Sequence, residues 1–371
     1  MKKIKVLHVV SSLKTGGVEK LLYDTYKYTD KNSYEFNFIT HNEPGMIENL
    51  LIGENISVYH LINRRMHPIL SAVQFYRFLL KKRFDIIHFH GNFEVLLELI
   101  AAKLANHNNL IIHSHNYKRN LPFLQKIIMS ITQRISANLT KVCIGCSVAA
   151  GYYGFGNIKR LGNYVTIYNG IETEKYKFDD NKRCLLRKKL KIENDEFVIG
   201  TIGRLTKQKN LMYLLKVIES IKSTMKLKVL IVGEGEDYAA LRKYVDDNTL
   251  NNIVMFLGIR NDVPALLSCF DLFVLTSEYE GLPIVGVEAQ AAGLNCIFSN
   301  EITQEIRITK NVKFLPITQS SISEWSQNIK IEMKEVAFEN KMQRTAVKLQ
   351  KDFDIKTTAD KFMEVYSKIM A

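Results

Sequence analysis

Apolar residues along the chain recur in two spacings. Short apolar runs at residues 5–11, 35–40, 56–61, 84–90, 110–114 and 141–146 have the length of buried strands. Between them, residues 67–82 and 94–104 carry their apolar positions at helical spacing. After a polar, charged stretch at 172–195 the alternation resumes, with strand-like runs at 197–202, 227–232 and 271–276 and a small-residue helix from Pro283 that Gly293 ends. Alternation of this kind builds a parallel sheet covered by helices on both faces, the doubly wound α/β arrangement. The change in composition places a domain boundary near Asn169. The expected organisation is therefore a first domain over 1–168, a second over 169–350, and a terminal amphipathic helix within 351–371. With 371 residues, 46% of them hydrophobic, the chain has material for two cores.

The candidate chemistry lies in loops that follow strands. In Ser277-Glu278-Tyr279-Glu280-Gly281-Leu282-Pro283-Ile284-Val285, Glu280 precedes a helix and Glu288 lies about one turn inside it, with seven residues between the two carboxylates. Carboxylates near a helix N-terminus stay ionised and accept paired hydrogen bonds, which suits the vicinal hydroxyls of a sugar. The plainer alternative is that Glu280 caps the helix and Glu288 is solvated. Gly16 and Gly17 open a helix after the first strand, where amides without side chains can approach a phosphate; a simple tight turn is the alternative. Arg204 and Lys209 flank another helix start, so two cations and free amides converge where a diphosphate fits. His88 and His90, and His113 and His115, end two strands on matching faces. Without a local Asp, Glu or Cys they read as strand-end residues and not as a metal site. Cys143 and Cys146 match a CxxC spacing, but no second ligand pair accompanies them, so they read as structural thiols.

Glu280 and Glu288 in their Ser-x-x-Glu-Gly-Leu-Pro context, with Gly-Gly-x-Glu at 16–19, Gly-Arg-Leu-x-x-x-Lys-Asn at 203–210 and Asn-Gly-Ile-Glu at 169–172, resemble the retaining, nucleotide-sugar-dependent glycosyltransferases of family 4. The resemblance covers nearly the whole chain and implies a GT-B architecture, two Rossmann-like doubly wound domains facing across a cleft, with the last helix returning to the first domain. It implies that Glu280 contacts the donor sugar and Glu288 the ribose. Arg204 and Lys209 would face the diphosphate, with Gly16, Gly17, Gly233 and the amides of Gly281, Leu282, Pro283, Ile284 and Val285 around the donor. The loop at Gly258 and Ile259 would hold the base, and His115 would lie near the sugar; His90 is a weaker match to such a strand-end role. Ser147 would open a helix as a serine does in that family, and Asp262 reads as a helix cap. The expected reaction moves a hexose or N-acetylhexosamine from a UDP-sugar to a hydroxyl acceptor, such as a lipid-linked glycan in capsule or exopolysaccharide synthesis. Neither a metal nor another cofactor is expected, because no Asp-x-Asp motif stands in the usual place.

Charge adds the question of location. A net charge of +13 points to anionic partners. Basic and apolar residues interleave around Arg64, Arg65, Lys81, Lys82, Arg83, Lys118 and Arg119, as at a membrane surface, although solvated helix faces would read the same way. The N-terminus reads as a first strand and not as a signal peptide. The most apolar stretch, residues 95–105, is too short to span a bilayer and contains Glu98 and Lys103. Five scattered cysteines fit a reducing compartment, so the expectation is a cytoplasmic enzyme docked on the inner face of the membrane. Two rivals remain at this point: a UDP-sugar 2-epimerase on the same scaffold, and a nucleic-acid-binding protein, for which no zinc-finger or RNA-recognition pattern is present.

Overall fold

The computed structural model describes residues 2–14, 16–117, 123–223, 226–338 and 351–371. They form two compact units, Met1–Ile171 with Lys351–Ala371, and Glu172–Gln350. The first unit runs β1 (Ile4–Val9), α1 (Gly17–Tyr28), β2 (Tyr34–Thr40), α2 (Met46–Gly53), β3 (Ser57–His60), α3 (Pro68–Lys81), β4 (Ile86–His90), α4 (Leu96–Leu104), β5 (Leu110–Ser114), α5 (Phe123–Leu139), β6 (Val142–Gly145), α6 (Val148–Phe155) and β7 (Tyr164–Thr166). The second runs α7 (Asp180–Lys189), β8 (Phe197–Ile202), α8 (Leu211–Ile221), β9 (Leu227–Val232), α9 (Tyr238–Asp247), β10 (Val254–Phe256), α10 (Val263–Cys269), β11 (Leu272–Leu275), α11 (Ile284–Ala291), β12 (Asn295–Ser299), β13 (Val312–Leu315) and α12 (Ile322–Phe338). The last helix, α13 (Ile355–Met370), belongs to the first unit.

Both sheets are parallel. Their orders are β3-β2-β1-β4-β5-β6-β7 and β10-β9-β8-β11-β12-β13. Helices cover both faces of a parallel sheet, so central strands such as β4 and β5 are buried at every position and read as unbroken apolar runs. β3 lies at an edge; it is shorter than the apolar run at 56–61 suggests, and Ser57 and His60 are exposed. In each sheet the strand order reverses once, between β1 and β4 and between β8 and β11. Loops leaving neighbouring strands at such a point splay to opposite faces, and the crevice between them at the carboxyl ends is where doubly wound sheets bind ligands.

The terminal helix completes the first core. Asp354 accepts from the amides of Lys356 and Thr357 and so caps α13. The apolar face of α13, with Phe362, Val365, Tyr366 and Ile369, packs with Val6, Phe36 and Phe38. Ile171 is clasped at its base, its N–H donating to Phe353 O at 3.0 Å and its carbonyl accepting from Ile355 N at 3.1 Å. In the second unit Asp271, at the foot of β11, is buried but paired: Arg183 reaches it at 2.7 Å and Arg187 at 3.3 Å, joining α7 to the sheet.

Candidate active site

The loops that leave β8 and β11, the strands flanking the reversal in the second sheet, are tied to each other. Thr276 Oγ1 donates to the carbonyls of Lys209 and Asn210 at 3.1 and 3.0 Å, the amide of Glu278 donates to Gln208 O at 2.8 Å, and Gln208 Nε2 donates to Tyr279 O at 3.0 Å. Asn210 takes the left-handed conformation at φ 49°, which asparagine tolerates better than most residues, and so turns the chain from a short 3₁₀ segment into α8. This frame sets Lys209 Nζ 2.5 Å from Glu280 Oε1, with both side chains mostly shielded from solvent. A narrow recess beside the pair is lined by Thr201, Gly203, Lys209, Thr276 and Ser277.

Glu280 does not cap α11. Pro283 holds that position, while Glu280 forms an isolated bridge with Ile302 and gives its carboxylate to Lys209. Glu288 is not solvated either: it lies on the buried face of α11 and accepts a hydrogen bond from Tyr176 Oη at 2.7 Å. Arg204 is exposed and, among the described residues, forms no ion pair, which leaves its guanidinium available to an incoming anion. The loops after β8, β9 and β10 interlock through Gly203 N to Val232 O at 3.0 Å and Gly233 N to Gly258 O at 2.8 Å. Gly233 has to be glycine, because its φ is +127° and a Cβ there would lie 2.0 Å from Gly203 O. Gly258 has φ +63°, and Ile259 beside it is exposed. Asp262 departs from the expected cap: its carboxylate accepts from Arg260 Nε at 2.7 Å and makes no cap hydrogen bond to α10.

At the reversal in the first sheet, Gly16 and Gly17 open α1 without a side-chain cap. The Glu19 side chain folds back against Gly16 at the start of the helix. Ser147, by contrast, caps α6 by accepting from Ala150 N at 3.0 Å. The expected pairs of strand-end histidines lie ring to ring, with centroids 4.2 Å apart for the stacked His88 and His90 and 3.9 Å for the tilted His113 and His115. His8 of β1, which carried no signal in the sequence, joins them: its Nδ1 lies 3.0 Å from Nε2 of His90, whose Nδ1 lies 2.9 Å from Nε2 of His115. Burial disfavours the charged imidazolium and holds His8 and His115 at about 3, with His88, His90 and His113 also well below the usual histidine range. Two trios, His8 with His88 and His90, and His90 with His113 and His115, bring ring nitrogens within 4.8 Å of one another. No carboxylate or thiolate joins either trio among the described residues.

Another cluster was not foreseen. Glu98 of α4 is buried and accepts from His41 Nε2 at 2.6 Å, Arg64 Nη1 at 2.7 Å and Ser71 Oγ at 3.0 Å; Arg64 Nη2 also donates to Ser11 Oγ at 2.7 Å. Arg64 is thus an internal cation, and its assignment to a basic outer surface is corrected: a lone buried Glu98 is unstable unless a cation follows it inside. Lys118 and Arg119 lie outside the described residues. Cys143 and Cys146 are buried free thiols, and burial pushes Cys143 up to about 11, which suppresses thiolate chemistry.

Two family models match the chain. Residues 15–175 match Glycosyltransferase Family 4, and residues 183–348 match Glycosyl transferases group 1. EpsF of Bacillus subtilis, which bears a glycosyltransferase name, is 29% identical over 334 residues, covering 88% of this chain and 86% of its own. The UDP-Gal:alpha-D-GlcNAc-diphosphoundecaprenol alpha-1,3-galactosyltransferase of Escherichia coli is 28% identical over 323 residues, covering 80% of each. Among solved structures, HepE of Anabaena in complex with UDP and glucose superposes with a TM-score of 0.78 at 22% identity, over 98% of this chain and 99% of that one. Its likeness shows the fold, which is GT-B. The chain belongs to the family 4, group 1 glycosyltransferases and is a hexosyltransferase.

Proposed function

We propose that this enzyme transfers a hexose or N-acetylhexosamine, with retention of configuration, from a UDP-sugar to a hydroxyl of a lipid-linked saccharide during surface-polysaccharide synthesis. The observation that carries the donor reading is the Lys209–Glu280 pair at the reversal in the second sheet, with Arg204 exposed on the same loop and Glu288 one turn into α11. Glu280 accepts from hydroxyls of the sugar, Glu288 from the ribose, and the loop at Gly258 and Ile259 receives the base. His115 is assigned to the sugar, and Gly16 and Gly17 at the start of α1 to the diphosphate.

In the reaction, the bond between the anomeric carbon and the diphosphate oxygen breaks. The acceptor oxygen bonds to the same face, and its proton passes to the departing phosphate. Negative charge grows on that phosphate, so Arg204, Lys209 and backbone N–H groups between Gly281 and Val285, of which Pro283 has none, act by stabilising it. This supply of positive charge makes a metal unnecessary. UDP as the nucleotide and a diphospholipid as the acceptor rest on the complex solved for HepE and on the name of the Escherichia coli relative.

A surface on the first unit supports work at a membrane. No helix of the described residues is long and apolar enough to cross one. Helices α3, α4 and α5 pack in succession and expose Ile69, Leu70, Leu80, Leu97, Leu104, Ile128 and Ile131. Arg77, Lys81, Lys103, Lys126 and Arg134 lie on the same helices, whose single acidic residue, Glu98, is buried and paired. Apolar side chains among cations, with no exposed acid, suit the anionic inner leaflet.

A donor panel with an acceptor tests the reading. UDP should raise the melting temperature by binding the folded state, one UDP-sugar should be consumed only when a polyprenyl-diphosphate saccharide is supplied, and the product should keep the donor's anomeric configuration. Conversion between UDP-sugar isomers without acceptor, or no thermal shift with UDP, overturns it.

A further inference from the structure

Strand register brings together what spacing along the chain keeps apart. Taken singly, the histidine pairs that end β4 and β5 each lack a third ligand. In the sheet, however, His90 lies directly opposite His113, and His115 follows two residues later on the same face. A neighbouring strand thus adds a third imidazole to a His-x-His pair, and ring nitrogens of His90, His113 and His115 lie within 4.8 Å of one another. His90 is held from behind: while its Nδ1 lies 2.9 Å from Nε2 of His115, its Nε2 lies 3.0 Å from Nδ1 of His8. Metal-binding histidines are fixed in this way, by a partner on the other ring nitrogen.

His113 is the ring left without partners. It is wholly enclosed, and neither its Nδ1 nor its Nε2 has a hydrogen bond among the described residues. A neutral imidazole has one N–H and one lone pair to satisfy, and a buried polar group left bare in a native fold generally marks an internal water or ion. Distances favour the ion. Two groups bridged by one water stand about 4.5–5 Å apart, since each hydrogen bond is about 2.9 Å long, and His90 and His115 are far closer than that. Tetrahedral nitrogens on zinc, each about 2.0–2.1 Å from the ion, stand about 3.3 Å apart. The observed range from 2.9 to 4.8 Å brackets that separation. An N–H···N bond also accounts for the 2.9 Å contact, but it leaves His113 bare.

We propose that His90, His113 and His115 bind a divalent transition-metal ion of the zinc type, which ties β4 to the end of β5. Three neutral nitrogens without a thiolate suit four-coordinate zinc and leave one position for water. His115 is the half-buried member of the trio and gives that position and the route of entry. All three ligands belong to the first unit, so the site does not depend on the donor reading.

Tag-free enzyme, stripped with a chelator and then dialysed against zinc alone, should bind one ion per chain and melt at a higher temperature, because the ion binds the folded state. X-ray absorption on the zinc-loaded enzyme should show nitrogen and oxygen neighbours with imidazole rings beyond them, and no sulfur. His113→Phe should weaken zinc binding by more than about a hundredfold, beyond what loss of a histidine's backing partner costs, and should cancel the thermal shift. His115→Gln, at the half-buried position, gives a second reading if His113→Phe does not fold. His67→Ala, which removes an exposed histidine, should change neither the stoichiometry nor the shift. Metal content and melting are read here, not turnover, so the result stands apart from the sugar contact assigned to His115. A wild-type enzyme that retains no zinc, sulfur among the nearest neighbours, or wild-type affinity in His113→Phe or His115→Gln overturns the site.

Discussion

Lys209 Nζ and Glu280 Oε1 meet at 2.5 Å, across the two loops that leave β8 and β11. The exposed Arg204 has no such partner among the described residues. The two cations of one proposed anion site are therefore held in different ways: one is part of the architecture, and the other is free to meet the ligand.

Removing them should have different signatures. Lys209→Met leaves a mostly buried carboxylate without its cation, so both turnover and stability should fall, the latter by about 1–3 kcal/mol, less than for a fully buried pair. Arg204→Ala should lower turnover more than donor affinity and leave the melting temperature unchanged, because charge on the leaving diphosphate peaks in the transition state. Thermal melts and steady-state kinetics on both variants check the contrast; unchanged turnover in both would remove the diphosphate from this site.

Glu288 and Tyr176 make a second test. Glu288→Ala should weaken UDP binding by about 1–3 kcal/mol through loss of hydrogen bonds to a charged group. Tyr176→Phe, which only loosens the carboxylate, should weaken it by about 1 kcal/mol. Calorimetric titration with UDP gives both values, and an unaltered affinity in Glu288→Ala rules out the ribose contact.

The histidines make a prediction about acid. Their folded values lie below the unfolded value near 6.5, with His8 and His115 at about 3, so between those limits the unfolded chain binds more protons. Stability should then rise with pH across this window and be lost as pH falls from about 6.5 towards 3. Glu98 acts further down: burial opposes its ionisation, but hydrogen bonds from His41 and Arg64 and the Arg64 charge outweigh that and lower its pKa. Its contribution is present above the ordinary carboxylate range and is lost as pH falls below it. Urea titrations at stepped pH should show weakening that begins near pH 6.5; a flat profile down to pH 5 would contradict the burial of these rings.

Glu98→Ala should destabilise the first unit by about 3–5 kcal/mol, since it strands the buried Arg64 and removes the partner of His41. Glu98→Ala combined with Arg64→Met should recover part of that loss. Chemical denaturation of the single and double variants measures the coupling.

For the membrane face, Ile69→Glu with Ile131→Glu should abolish flotation with anionic vesicles while thermal stability is retained, because both side chains are exposed. Alanine at Arg77 and Lys126 should each weaken binding by about 1 kcal/mol at low salt. Equal flotation with neutral and anionic vesicles would count against docking.

Local spacing was enough to read β1 to β6, β8, β9 and β11, because a buried parallel strand must be apolar throughout and its covering helix apolar on one side; β7, β10, β12 and β13 were not read. Residues 110–114 and 227–232 are strands to the residue. The proximity of Glu280 and Glu288 to a helix start was also legible, since sequence neighbours across a turn remain neighbours in space. Partnerships between distant residues were not. Glu98 registered only as a charge interrupting an apolar run, and Arg64 as part of a basic surface; burial of both follows from the packing of α3 against α4, which no local pattern encodes. In the same way His8 and Tyr176 took their partners from strand order and loop geometry. Spacing along the chain determines which face a side chain lies on, but its partner there is decided by which strands and helices pack beside it, and that is a property of the folded tertiary structure.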